Sequence, residues 1–147
     1  MPTIVTTSPR GGGPSATRFC SPYETTHDGP PMVTAKLRFL HSPDADPLEA
    51  FSPSGPFGIL VMAIVGPADG PGQESFDFML CTPDWFSSNM EDDLTIGRHH
   101  VFVKQYDYPR LQAFVEAYCA ECSGTSWKEV AEKLSRLGKW EFEDYIS

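Results

Sequence analysis

Positive charge is scarce in this sequence. Its 147 residues carry 11 lysines and arginines against 20 aspartates and glutamates, for a formal net charge of −9. That balance excludes a protein that grips nucleic acid or an anionic membrane by bulk charge. Long hydrophobic runs are lacking too. The longest, residues 59–65, is far too short to span a bilayer. No basic start followed by an apolar stretch of the secretory kind is found. The expected compartment is therefore the cytoplasm, with no membrane partner. Local catalytic signatures are missing as well. There is no Walker A sequence, no G-x-G-x-x-G after a strand, no H-E-x-x-H and no G-x-S-x-G. Disulfides are not needed, because a chain of this length buries roughly two thirds of its unfolded surface.

What is present is unevenly spread. Residues 1–31 carry Arg10, Arg18, Glu24 and Asp28, which sum to zero, together with six of the 14 prolines and four of the 12 glycines. Such a segment has too little apolar surface to offset its ordering entropy and reads as a disordered leader. Residues 32–147 hold nine basic and eighteen acidic groups and thus the whole net charge. They read as one domain. Met32, just after Pro30-Pro31, is a second candidate for the native start.

Within the domain, Val33, Ala35, Leu37 and Phe39 alternate with polar residues, the pattern of a half-buried strand with these four on one face. Residues 57–65 are apolar apart from Gly58 and read as a central strand. The stretch from Gly66 to Gly72 is a turn, which makes a hairpin with residues 75–81. Thr82-Pro83-Asp84 has the form of a helix start, and Glu91-Asp92-Asp93 that of a solvated loop. Residues 97–105 alternate again, as a fourth strand. Asp107 can cap a helix whose stripe is Leu111, Phe114, Val115, Tyr118, Cys119 and Cys122, ended by Gly124. Ser126 and Glu129 form a capping box for a second helix, with Gly138 as its left-handed terminator. Residues 140–145 are a fifth strand or an extended tail. Strands before helices predict an α+β fold, an antiparallel sheet of four or five strands with two C-terminal helices packed on one face.

Three groups of residues have chemical potential. Cys119 and Cys122 have a zinc or redox spacing, but a structural zinc needs four ligands, and both thiols lie within an apolar stripe. A small metal-binding or redox protein built on them is the alternative function. His99 and His100 point to opposite faces if they sit on a strand. The carboxylates Asp92, Asp93, Glu141, Glu143 and Asp144 suit acid–base work only in a cleft that shifts their pKa values, and a solvated acidic surface is the simpler reading. No catalytic residue, metal or cofactor is expected.

A succession of short patterns is similar to a known family. Leu40-His41-Ser42-Pro43-Asp44, Glu74-Ser75-Phe76-Asp77-Phe78, Cys81-Thr82-Pro83-Asp84-Trp85, Gly97-Arg98-His99-His100, residues 127–136 (WKEVAEKLSR) and Trp140-Glu141-Phe142-Glu143-Asp144-Tyr145 follow in the order of the immunity protein 8 family of bacterial polymorphic toxin systems. The resemblance covers residues 32–146 and implies a non-enzymatic immunity protein that binds and neutralises a cognate toxin in bacterial competition. A basic nuclease toxin would suit the acidic charge. The residues expected at the interface are Asp84, Trp85, Glu91, Asp92, Asp93, Trp140, Glu141, Glu143, Asp144 and Tyr145, with exposed acids ranked above aromatics. Trp127 and Phe142 read as core. N-terminal peptide mapping checks the leader: native peptides beginning at Met32 or Val33 place residues 1–31 upstream of the true start, and peptides from Met1 or Pro2 place them within the protein.

Overall fold

The longest apolar run becomes the middle of a sheet. In the computed structural model, which describes residues 32–142, β2 (Gly58–Pro67) pairs antiparallel with β1 (Val33–His41) on one edge and with β3 (Glu74–Cys81) on the other. Ile59, Val61, Ala63 and Val65 are buried on the inner face beside Phe76, Phe78 and Leu80 of β3. Leu60, Met62 and Ile64 point the other way and are only half-buried. The β2–β3 turn closes on Gly72, whose φ of 99° suits glycine.

β1 departs from the expected alternation. Its register against β2 shifts between Leu37 and Phe39, leaving Arg38 as the extra residue of a bulge. An extra residue moves everything beyond it to the other face. Ala35 and Leu37 are buried, whereas Phe39 is 51% exposed, outside the core predicted for it. The Arg38 guanidinium donates to the carbonyls of Pro67 at 2.7 Å and Gly70 at 2.9 Å, so the bulge also holds the β2–β3 turn.

The other edge of β3 is shared. β6 (Lys139–Trp140) pairs antiparallel with Phe76 and Asp77, while β4 (His100–Phe102) pairs in parallel with Met79 to Cys81. β5 (Ser123–Gly124) extends the sheet beyond β1. The architecture is α+β as expected, but the six-stranded sheet is mixed rather than antiparallel. A parallel pair needs a long crossover, and residues 82–99 supply it, including α1 (Pro83–Ser88). β4 is shorter than the alternation suggests because His99 has a φ of 63°, outside any extended conformation.

The two longer helices cover the inner face. Asp107 caps α2 (Tyr108–Ala120) by accepting from the Arg110 N–H, and Ser126 caps α3 (Trp127–Leu134) by accepting from the Glu129 N–H. Glu129 reaches back to the Thr125 backbone N–H and hydroxyl, bonds that hold its carboxyl below the usual range. Leu111, Val115, Cys119, Val130, Ala131 and Leu134 complete the core, while Phe114 of the expected stripe is 50% exposed. Two glycines differ from expectation. Gly124 lies in β5 and does not end α2. Gly138 has no positive φ, and its role is close approach: a Cβ there would lie 2.8 Å from the Phe76 carbonyl carbon.

One carboxylate ties α3 and β6 to β3. Glu74 Oε1 accepts from Trp127 Nε1 at 2.7 Å and from Trp140 Nε1 at 2.8 Å. Trp140 also stacks on Phe76. Hydrogen bonds to charged groups contribute about 1.5–3 kcal/mol each, less where water competes, so Glu74→Ala should destabilise by roughly 1–3 kcal/mol, and Glu74→Gln, which keeps an acceptor, by less. Gly138→Ala should cost about 1–3 kcal/mol through backbone overlap. Urea midpoints at constant slope measure all three.

Candidate functional site

The crossover from β3 to β4 begins at Thr82, whose hydroxyl accepts from the Trp85 N–H at 3.3 Å and the Phe57 N–H at 3.2 Å. One side chain thus caps α1 and pins it to the chain entering β2. Proline at the first helical position agrees with the sequence reading. Trp85 lies over Gly58, where any Cβ would collide with the indole ring. Phe86 meets His100 and Phe102 edge-on, at 4.9 and 5.2 Å between ring centres. α1 therefore sits on the outer face of the sheet, opposite α2 and α3.

Residues 89–99 then run to β4 without regular structure. Glu91, Asp92 and Asp93 are exposed, as the solvated-loop reading anticipates, and so is Asp84 in the first turn of α1. From Thr82 to Gly97 no lysine or arginine interrupts them. Leu94 and Ile96 are 90% and 86% exposed. Neither belongs to a periodic pattern of the sequence, although apolar residues two apart beside a run of acids are a visible signal. A hollow of about 280 Å³ between α1 and this loop is lined by Trp85, Phe86, Met90, Glu91, Ile96 and His100, among others.

The other expected interface residues lie elsewhere. Trp140 is half-buried and bonded to Glu74, and Glu141 Oε1 accepts from the Ser75 N–H at 3.0 Å, so both serve the β3–β6 edge. They flank the start of β3, whereas α1 follows its end, a separation of about 20 Å at the usual strand rise. Phe142 is 41% exposed and touches Trp140 edge-on, rather than lying in the core. Glu143, Asp144 and Tyr145 are outside the described residues, as is the leader.

The residues with catalytic or metal potential do not converge. His99 Nε2 is 2.7 Å from the Ser135 carbonyl oxygen, and His100 Nδ1 is 2.9 Å from that of Arg98; the two imidazoles have separate partners, but His99 precedes β4 in a turn rather than alternating with His100 on a strand. Among the described residues no group of three or more His, Cys, Asp or Glu is placed to hold a metal ion. Cys119 and Cys122 are buried in the core, and burial pushes the Cys119 thiol up to about 12 and raises that of Cys122. A thiol held protonated in an enclosed site is a poor nucleophile. A larger cleft, about 670 Å³, is lined by Phe51, Phe57, Pro83 and Tyr106 and has only Asp84 and Lys104 as charged lining residues. Tyr106 donates to the Leu48 carbonyl at 2.6 Å and braces this cleft. Among the described residues no helix is long and apolar enough to cross a membrane.

The described residues form an α+β domain whose crossover exposes acids and two aliphatics together. The immunity protein 8 family matches residues 35–145, and the chain belongs to that family. Membership implies an immunity role in a toxin system, with a cognate toxin as partner. No curated protein and no solved structure matches the chain.

The buried thiols give a direct check. At pH 9 a thiol reagent should leave Cys81, Cys119 and Cys122 unmodified in the native protein and label all three in denaturant, as read by peptide mass spectrometry. An unfolded thiol ionises near its ordinary value of 9.0 and native Cys119 near 12. The native state therefore retains a proton that the unfolded state releases. The stability associated with Cys119 is complete below pH 9 and declines as pH rises through that window.

Proposed function

We propose that this protein neutralises the toxin domain of its own cell or kin in the cytoplasm, by forming a stoichiometric complex and without turning over a substrate. The observation that carries this reading is the family match across nearly the whole patterned region. The net charge of −9 supports a basic partner. Nuclease toxins are basic because their substrates are polyanions, and an acidic inhibitor meets such a surface with complementary potential. Asp84, Trp85, Glu91, Asp92 and Asp93 form one end of the proposed interface. Trp140, Glu141, Glu143, Asp144 and Tyr145 are the second candidate region.

Co-expression tests the reading. Cells making the toxin domain encoded beside this gene should survive when this protein is present, and the two should co-purify. Failure of both rescue and complex formation overturns it. If charge steers the encounter, the association rate should fall roughly tenfold between low and about 0.5 M salt. A rate insensitive to salt would assign the acidic charge to solubility alone.

A further inference from the structure

The geometry points to Leu94 and Ile96 as the apolar anchors with which this protein docks a basic face of its toxin, within the acidic loop that carries Glu91, Asp92 and Asp93. This rests on the immunity reading above and adds to it the surface and the manner of contact.

Four observations converge. The first is exposure. No other large apolar side chain among the described residues exceeds 60%, while Leu94 and Ile96 stand at 90% and 86%. Neither contributes appreciably to the core, so packing does not account for them. The second is that both ends of the segment are held. Asn89 caps α1 by donating from Nδ2 to the Trp85 carbonyl at 2.8 Å, and His100 Nδ1 lies 3.1 Å from the Gly97 carbonyl oxygen. Phe86 clamps the return into β4. A loop held at both ends loses less freedom on binding. The third is the hollow of about 280 Å³ beside Ile96, walled by Trp85 and Phe86 and edged by Glu91 and Asp92. Aromatic faces beneath carboxylates suit a lysine or arginine side chain of the partner. The fourth is charge: from Thr82 to Gly97 there are four acids and no lysine or arginine.

The alternative apolar faces lack this combination. Phe39 is flanked on its own strand by Lys36, Arg38 and His41. Phe114 lies on α2, with Arg110 one turn away. An apolar centre within a charged rim is the usual anatomy of a specific interface. If the toxin acts on a polyanion, the basic face that holds its substrate is the surface this loop complements, and docking there blocks the substrate directly.

The test measures binding of the full chain to the catalytically inactivated toxin domain encoded by the adjacent gene. Leu94→Ser with Ile96→Ser should raise Kd roughly 100-fold, mainly through faster dissociation, and leave the thermal midpoint unchanged because both side chains are exposed. Glu91→Gln, Asp92→Asn and Asp93→Asn together should slow association about tenfold at low salt and flatten its salt dependence. Phe39→Ser and Phe114→Ser should leave Kd within threefold. A wild-type complex that both sets of crossover variants leave within threefold overturns this proposal alone, as does a loss of binding confined to Phe39→Ser or Phe114→Ser. If the wild-type protein and toxin form no complex, the immunity reading fails and the proposal fails with it.

Discussion

Parallel pairing of β4 with β3 governs the exposed side of this molecule. A strand that re-enters a sheet in the same direction must first return along the length of its neighbour. Here residues 82–99 make that return. α1 folds back onto the outer face of the sheet, through Trp85 over Gly58 and Phe86 against His100 and Phe102, and His99 reaches the Ser135 carbonyl at the end of α3. Between them, residues 91–96 project acids and two aliphatics into solvent. β6 takes the other end of the same β3 edge.

The packed core and the exposed acidic loop thus lie in different parts of the domain. The inner face is closed by α2 and α3, with Glu74 joining both indoles at one end and Gly138 allowing the chain to pass close to Phe76. Cys119 and Cys122 belong to this closed layer, where burial keeps the thiols protonated. Trp140 and Glu141 serve the same end, so the motif they begin has a structural use whatever else it contacts. Residues 91–96 have no such duty, and substitutions there leave the core undisturbed.

Local chemistry was well legible in the sequence. The caps at Thr82, Asp107 and Ser126 each lie within a few residues of the groups they satisfy, so short patterns announce them. The central strand and the hairpin are equally plain, the strand from its continuous apolar run and its partner from a glycine- and proline-rich turn followed by the period of two that burial on one face imposes. Phe39 was misplaced because a bulge at Arg38 inverts that period, and the bulge is held by carbonyls around thirty residues away. Gly138 was read as a terminator because its close neighbour, Phe76, is remote in sequence. The acids of the crossover are legible as a charge run, whereas the exposure of Leu94 and Ile96 depends on which segments pack and has no local pattern.

By itself the sequence determined the class of elements, their order, the acidic balance and the family, since all of these depend on residue type and near-neighbour spacing. Only the tertiary structure decided that β4 runs parallel to β3, that Trp140 and Glu141 are engaged at the sheet edge, and that the crossover carries its aliphatics outward. Those outcomes depend on which strand edges remain free once β1, β2 and β3 have paired. That competition takes place between segments far apart in the chain, and no local pattern records it.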